Sequence, residues 1–127
     1  MPKQRINPKG VATPTGYTHV VKAGNTVYVA GQVALDANGN LVGKGDAAAQ
    51  ADQVFRNLQA CLASAGASLG DLVKITAYLT RAEDIPAYRQ ARSRWLTQDL
   101  PGSTLVVVSR LANPDFLVEV EGTAVVG

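Results

Sequence analysis

The sequence predicts an α+β domain built on a mixed β-sheet, with its elements in the order β-β-α-β-α-β-β. Short runs of alternating apolar residues lie near both ends of the chain, and two segments of helical periodicity lie between them. A further strand separates the two helical segments, so each helix links two strands in the manner of a crossover. Both helices are therefore expected to pack on one face of the sheet.

The first half of the chain predicts a β-hairpin followed by a long helix. Residues 17–22 (YTHVVK) and 26–33 (TVYVAGQV) are rich in strand-forming residues, and the Ala-Gly-Asn between them is typical of a hairpin turn. The DANGN of 36–40 predicts another turn. Asp46 is a predicted N-cap, and apolar residues then recur at helical spacing as far as Gly66, which predicts the helix end.

The second half predicts a strand, a second helix and two further strands. Alternate residues of the strand at 71–80, beginning with Val73, are expected to share its apolar face. The second helix begins at about Asp84, and a proline in its first turn is compatible with that start. STLVVVSRL (103–111) and LVEVEGTAVV (117–126) predict the last two strands.

Length and composition limit the class of protein. With 127 residues the chain is expected to form one domain over 1–127. A formal net charge of +2 does not indicate nucleic-acid binding, and no apolar run approaches the roughly 20 residues that span a bilayer. One cysteine, Cys61, and one histidine, His19, cannot assemble a zinc site of the His/Cys type in one chain, and no metal is expected. The N-terminus does not resemble a signal peptide, and a cytoplasmic location is expected.

The sheet face opposite the helices, here called the open face, has no evident cover. As a group, its residues are expected to be too apolar for water and too polar for a core. We expect them to be Tyr28, Ala30, Lys74, Thr76, Tyr78, Leu105, Val107, Glu119 and Glu121, or the alternate residues of a strand whose register differs. Covering apolar surface is favourable by about 25 cal/mol per Å². We therefore expect the chain to form a homo-oligomer.

Two glutamates interrupt the last predicted strand. Because side chains alternate along a strand, Glu119 and Glu121 share the face opposite Val118 and Val120. One interpretation is a solvated or salt-bridged pair, and the other is a carboxylate with a chemical role in a partly dry cleft. In such a cleft burial raises the pKa of a carboxyl group, which then serves as a general base.

Four segments together resemble the RidA/YjgF family, whose members are also called L-PSP endoribonuclease or translation-inhibitor-like proteins. They are TGYTHVVKAGNTVYVAGQV, AAQADQVFRNLQACLASAGASLGDLVKITAYLT, PGSTLVVVSRL and LVEVEGTAVV, and they cover the chain from about Tyr17 to Val126. The resemblance implies a chorismate-mutase-like fold and a homotrimer with small-molecule pockets between its subunits. It also implies hydrolysis of enamines and imines to 2-keto acids and ammonia, without a metal or an organic cofactor.

The resemblance assigns roles to individual residues. Tyr17 matches a pocket tyrosine of the family, and the backbone N–H of Gly31 matches a group that meets the ligand. Glu119 matches the glutamate that orients or activates the attacking water. Glu121 is expected to be structural and to pair with Arg or Lys at a subunit interface.

Other pocket positions depart from the family pattern. The deaminase branch carries an arginine that grips the substrate carboxylate, and Ser103, followed by Thr104, stands in its place. Leu105, Ala30 and Arg89 likewise replace a cysteine, a serine and an asparagine. A serine hydroxyl is one neutral donor, whereas the arginine fork binds both carboxylate oxygens. We expect these five residues to line the pocket and the substrate to differ from the usual 2-imino acid; Arg89 is either a replacement cation or an exposed helix arginine.

Three functions are consistent with these observations. The first is an enzyme that hydrolyses an imine, an enamine or a related metabolite, with Glu119 positioning water. The second is a non-catalytic trimer that binds or senses a metabolite, which the missing arginine favours. The third, an endoribonuclease or translation inhibitor, ranks last because the single histidine cannot form an acid–base pair and the charge is near neutral.

His19 is instead expected to be a surface or interface histidine with satisfied hydrogen bonds.

Overall fold

The computed structural model describes residues 2–127, which contain six strands and two α-helices. The strands are β1 (Lys3–Ile6), β2 (Val20–Ala23), β3 (Thr26–Gln32), β4 (Leu72–Leu79), β5 (Gly102–Val107) and β6 (Val118–Val125), and the helices are α1 (Ala47–Ser64) and α2 (Ile85–Trp95). Short 3₁₀ turns at Leu69–Asp71 and Ala82–Asp84 precede β4 and α2. The predicted α+β class is confirmed, as is the order of elements from β2 to β6.

Strand β1 is an addition that the sequence pattern does not predict. It pairs antiparallel with β2, from Lys3 opposite Ala23 to Ile6 opposite Val20. Its first three residues are exposed because β1 forms an edge of the sheet, so no apolar alternation marks it. The strand predicted at 17–22 begins only at Val20.

The strands form one mixed sheet in the order β1-β2-β3-β6-β4-β5. Neighbouring strands are antiparallel except for β4 and β5, which run parallel and are connected through α2. Helix α1 connects β3 to β4. The last strand of the chain therefore lies in the middle of the sheet, between β3 and β4.

The core lies between the two helices and one face of the sheet. Phe55 and Leu58 of α1, Tyr88 of α2 and Ile75 of β4 are among its largest buried members. The rings of Phe55 and Tyr88 stack with their centroids 5.9 Å apart, which joins the two helices. Cys61 is also fully buried, and burial raises the pKa of its thiol to about 12, as expected of an inert core residue.

A β-bulge changes the face of one predicted core residue. The register of β4 against β6 shifts between Leu72 and Lys74, so Val73 is an extra residue in the ladder. Leu72 and Ile75 are both buried, whereas Val73 is 50% exposed. The expectation that Val73 shares the apolar face with Ile75 is wrong, because strict alternation does not allow for the inserted residue.

Both ends of α1 are formed as the sequence predicts. The Asp46 carboxylate accepts a hydrogen bond from the Ala49 N–H at 3.1 Å and caps the first turn. Gly66 has a φ of +77° just beyond the last turn, a conformation that glycine adopts without strain. Within residues 2–127, neither this helix nor α2 is long and apolar enough to cross a membrane.

The open face carries a mixture of polar and apolar side chains. By strand register its central members are Tyr28, Lys74, Thr76, Tyr78, Thr104, Val106, Glu119, Glu121, Thr123 and Val125. Leu105 and Val107 pair with Ala77 and Leu79 and lie on the helix side, which corrects their expected placement on the open face. Tyr28, Val106 and Val125 remain substantially exposed in the single chain.

Candidate functional site

Glu119 lies on the open face near the start of β6. Its neighbours Val118 and Val120 are fully buried against the helices, which directs the Glu119 side chain to the other side of the sheet. Tyr78 of β4 lies directly opposite. Partial burial, and secondarily the charge of Glu121, raise the pKa of the Glu119 carboxyl group above its ordinary value. A carboxylate of raised pKa is a stronger proton acceptor once it is ionised.

A second β-bulge brings the backbone of β3 against this carboxylate. The register of β3 and β6 shifts between Val29 and Gln32, which places Ala30 and Gly31 in the bulge. A Cβ atom on Gly31 would lie only 2.7 Å from Cδ of Glu119 and 2.9 Å from its Cγ. A side chain at position 31 would force the Glu119 side chain to move, so glycine is what allows the observed close approach.

A cavity of about 300 Å³ opens beside the Glu119 carboxylate. Its lining consists of Tyr17, Ala30, Gly31, Val33, Ala112, Phe116 and Glu119. The carboxylate and the phenol are its polar side chains, and the other walls are small or apolar. This size and mixture suit a small metabolite with one or two polar groups.

Tyr17 lies at the mouth of this cavity, in the loop that precedes β2. The residue is 53% exposed, and its ring packs edge-on against His19 with the centroids 5.5 Å apart. Partial burial, followed by the charge of Glu119, raises the pKa of the phenol. The hydroxyl therefore stays protonated at neutral pH and is available as a hydrogen-bond donor.

His19 is buried behind the cavity and has both ring nitrogens engaged. Its Nε2 lies 2.7 Å from the Ala12 carbonyl oxygen, and its Nδ1 lies 3.1 Å from Nε2 of Gln32. The predicted satisfaction of its hydrogen bonds is confirmed. The predicted surface position is wrong, because the loop that contains Ala12 covers the ring and leaves it only 4% exposed.

Two buried polar side chains of α1 hold the loops around the cavity. The Asn57 amide donates to the carbonyl oxygens of Val33 and Leu35, both at 2.9 Å. The Gln50 side-chain oxygen accepts from the N–H of Leu117 at 2.8 Å. Sequence reasoning gave these residues no role, although their position on the apolar stripe of α1 marks them as buried polar groups that need partners.

Ser103 and Arg89 are not close to Glu119 within one chain. Strand β4 lies between β5, which carries Ser103, and β6. Ser103 instead lines a second cavity of about 270 Å³, between α2 and β5, together with Arg92. Arg89 is exposed on α2 and lines neither cavity. A site that contains both Ser103 and Glu119 would require residues from two chains.

Thr104 and Leu105 point to opposite sides of β5. The Thr104 hydroxyl oxygen accepts a hydrogen bond from Lys74 Nζ at 2.9 Å on the open face. Leu105 packs against the core on the helix side. Of the residues that the sequence predicts for the site, the single chain therefore gathers Tyr17, Ala30, Gly31 and Glu119 around one cavity.

Glu121 accepts a hydrogen bond from the hydroxyl of Tyr78, which raises the pKa of that tyrosine. Its partner in the chain is thus a tyrosine, and the expected pairing with a cation across an interface stays a prediction. Among residues 2–127 there is no group of three His, Cys, Asp or Glu side chains arranged to hold a metal ion.

Known proteins share both the sequence pattern and the fold of this chain. The profile of the family described as endoribonuclease L-PSP matches residues 8–126. The chain belongs to this family. The match runs from the loop after β1 to the end of β6 and so includes every residue that lines the Glu119 cavity.

Relatives in the L-PSP family align over nearly the full length. The chain is 37% identical over 125 residues to a RutC family protein of Pyrococcus abyssi, covering 98% of each chain. It is also 37% identical over 125 residues to the 3-aminoacrylate deaminase RutC of Acinetobacter baylyi, again covering 98% of each. The 2-iminobutanoate/2-iminopropanoate deaminase of Dermatophagoides farinae is 29% identical over 126 residues, with 98% of each chain covered.

Solved structures share the fold. RidA from an Antarctic Psychrobacter species superposes with a TM-score of 0.88 and 32% identity, covering 96% of this chain and 98% of that one. A putative endoribonuclease L-PSP of Entamoeba histolytica gives a TM-score of 0.93 at 25% identity, covering 98% of this chain and all of that one. The family and fold class predicted from the sequence are confirmed.

Proposed function

We propose that this chain is a RidA-like deaminase that hydrolyses an imine, an enamine or a related metabolite, with Glu119 positioning the attacking water. The observation that carries the proposal is the half-buried Glu119 carboxylate, which lies against Gly31 in a cavity shared with the phenol of Tyr17. The two relatives named as deaminases, at 37% and 29% identity, support the same reaction class.

The proposed reaction needs only a base that also returns a proton. Ionised Glu119 takes a proton from water while the water oxygen bonds to the carbon of a protonated imine, and the C=N π electrons move to nitrogen. The protonated Glu119 then gives this proton to the amino nitrogen. The C–N bond breaks, and ammonia and a carbonyl compound leave together with one proton. An enamine enters the sequence after its carbon takes one proton from the solvent, and hydrolysis later releases one proton in return. One water is consumed for each ammonia released, without an oxidant or a reductant.

We place this reaction in a cleft between the subunits of a homotrimer. Two features support the placement: the partly apolar open face needs a cover, and Ser103 lies two strands away from Glu119 in the single chain. A neighbouring subunit would then supply residues near the start of its β5, such as Ser103 and Thr104, to the cavity of Glu119. The pocket of one chain would be incomplete without the next.

The substrate is proposed to differ from the usual 2-imino acid. Ser103 offers one neutral hydroxyl where the family's deaminase branch has an arginine, which weakens any grip on an α-carboxylate. Arg92, rather than Arg89, shares a cavity with Ser103. An anionic group on the substrate would therefore find its cation on α2 instead of β5.

Ammonia release from freshly generated imines tests the proposal. Wild type and Glu119→Gln are compared above the spontaneous rate, with imines that carry an α-carboxylate and imines that lack one. We expect Glu119→Gln to lower turnover by about 10²- to 10⁴-fold, because it removes a general base, with no change in oligomer mass. Equal turnover by the two proteins would contradict the role of Glu119. Turnover only of imines without the carboxylate would support the changed substrate.

A non-catalytic metabolite-binding trimer is the alternative that Ser103 favours. It requires thermal stabilisation by metabolites that are recovered chemically unchanged, whereas turnover of any imine would exclude it. A ribonuclease role remains the last choice, since the one histidine is buried with both ring nitrogens engaged and is unavailable as an acid or a base toward RNA.

A further inference from the structure

The backbone of Ala30 is held by two buried residues that have no role in the proposed reaction, His19 through its backbone and Gln32 through its side chain. His19 is 4% exposed and Gln32 is 2% exposed. The Ala30 N–H donates to the backbone oxygen of His19 at 2.8 Å. The Ala30 carbonyl accepts from Nε2 of Gln32 at 2.9 Å. Both polar backbone groups of Ala30 are therefore fixed from the interior of the protein.

The hydrogen bonds define one tautomer of His19. Because Nε2 of His19 faces the Ala12 carbonyl oxygen, that nitrogen must carry the proton. Because the Gln32 amide nitrogen donates to the Ala30 carbonyl, its second hydrogen points at Nδ1 of His19, which must be the acceptor. The ring thus fixes the Gln32 amide in the orientation that holds Ala30. Turning that amide over would place two oxygens, those of Gln32 and Ala30, against each other.

The orientation of Ala30 determines the orientation of Gly31. Within residues 2–127 no peptide bond is cis, and in a trans peptide the C=O and the following N–H point in opposite directions. The Ala30 carbonyl points at the buried Gln32 amide, so the Gly31 N–H is directed away from it. Gly31 lines the Glu119 cavity, and a Cβ atom on it would meet the carboxylate.

We propose that His19 and Gln32 are positioning residues, which aim the Gly31 N–H at the ligand in the Glu119 cavity and keep the bulge against the carboxylate. The atom that this N–H meets would be a hydrogen-bond acceptor on the substrate, such as a carboxylate or carbonyl oxygen. The catalytic consequence rests on the proposed deaminase function. The direction of the N–H rests on the hydrogen bonds alone.

Two substitutions of His19 separate its two hydrogen bonds. The side-chain oxygen of asparagine occupies nearly the position of Nδ1, so His19→Asn keeps the acceptor for Gln32 and loses the donor to Ala12. The side-chain nitrogen of glutamine occupies nearly the position of Nε2, so His19→Gln keeps the donor and loses the acceptor. His19→Leu removes both. Trp95→Phe is the matched control, since it removes one ring hydrogen bond, to Asp52 at 2.8 Å, from a part of the fold that does not line the cavity.

We expect His19→Asn to keep kcat/KM within about threefold of wild type. His19→Gln and His19→Leu should lower it by about 10- to 100-fold, mostly through kcat, because a misdirected donor is lost from the transition state. Trp95→Phe should leave it unchanged. Retained activity in His19→Gln together with a loss in His19→Asn would overturn the inference, since it would make the Ala12 bond the important one.

A second measurement is independent of turnover. In ¹⁵N NMR spectra, His19 should show protonated Nε2 and bare Nδ1, and the Gly31 amide signal should move in His19→Gln and His19→Leu but not in His19→Asn or Trp95→Phe. A Gly31 amide that does not respond to His19→Leu would overturn the inference even if the enzyme is active. If wild type releases no ammonia, the deaminase proposal fails, and the Gly31 amide still decides whether His19 and Gln32 position this group.

Discussion

At the scale of single residues, Glu119 and Gly31 depend on each other. The glutamate is turned outward by its buried neighbours in β6, and the bulge in β3 would crowd it if residue 31 had a side chain. The half-buried position and the nearby Glu121 both disfavour the charged form of Glu119, which raises its pKa. Burying the charged carboxylate lowers the free energy of unfolding, and the proposed chemical role of Glu119 would explain this cost.

The cost is measurable as a pH dependence of stability. Because the pKa of Glu119 is raised in the folded state, folding favours the protonated carboxyl group. The resulting contribution to the free energy of unfolding is fully present below the ordinary glutamate pKa of about 4.3. It is lost as the pH rises through the pKa of the folded state. Glu119→Gln keeps the neutral form at every pH. We therefore expect it to be more stable than wild type at pH 8, by at most about 1 kcal/mol because the carboxylate is partly screened by solvent, and equally stable at pH 4.

Urea unfolding at the two pH values provides the measurement. Gln59→Asn is the control, because Gln59 is exposed on α1 and the substitution changes no titratable group, so it should not alter the difference in stability between the two pH values. A Glu119→Gln protein that is less stable than wild type at pH 8 would mean that the charged carboxylate has a favourable partner in the fold.

At the scale of elements, α1 joins the core to the site. Its apolar stripe packs on the sheet, and within that stripe Gln50 and Asn57 satisfy backbone groups of the loops on either side of the cavity. Loops that border a cavity have few ladder hydrogen bonds of their own. A buried amide on a rigid helix supplies these bonds and fixes the cavity walls.

Gln50→Leu tests this function of α1. Gln50 is fully buried and also donates to the carbonyl oxygens of Gly43 and Asp115, so leucine would leave these groups and the Leu117 N–H without partners. We expect a loss of about 2–4 kcal/mol in the free energy of unfolding. Gln59→Leu, on the exposed side of the same helix, should stay within about 0.5 kcal/mol of wild type. Similar values for the two variants would argue against the amide as the element that fixes the loops.

At the scale of the whole molecule, we propose that the open face is covered by further copies of the chain. It combines exposed apolar residues with the hydrogen-bonded pairs Tyr78–Glu121 and Lys74–Thr104. A surface of this kind packs well against copies of itself, because its polar groups are already satisfied internally and its apolar groups gain from burial. The proposed trimer would also bring a second chain to each Glu119 cavity.

Val106→Glu is expected to break this assembly. Val106 is 38% exposed on the open face beside Tyr78, so a carboxylate there would have to be buried without a partner in the oligomer. Val107→Glu is the matched control: its residue is 48% exposed and adjacent in sequence, but it lies on the helix side. Sedimentation at micromolar concentration should give a trimer mass for wild type and Val107→Glu and a monomer mass for Val106→Glu. A trimer mass for Val106→Glu would place the interface elsewhere.

The sequence by itself determined the features that depend on neighbours along the chain. Strand alternation placed Glu119 opposite the core, and helical periodicity with its capping residues gave α1 from Asp46 to Gly66, because the geometry of a strand or a helix sets which near neighbours share a face. The resemblance of four segments to a known family then connected Tyr17, Gly31 and Glu119, three positions that no local pattern would have joined.

Tertiary structure alone decided the features that depend on pairing between distant segments. The polar strand β1 forms because it pairs with β2 at the edge of the sheet. The bulges at Val73 and Gly31 arise where the register between two paired strands shifts. The burial of His19 requires the loop at Ala12 and the amide of Gln32 to meet around its ring. Hydrogen bonds between segments far apart in sequence leave no periodic signal in either one, which is why these contacts become evident only when the chain is folded.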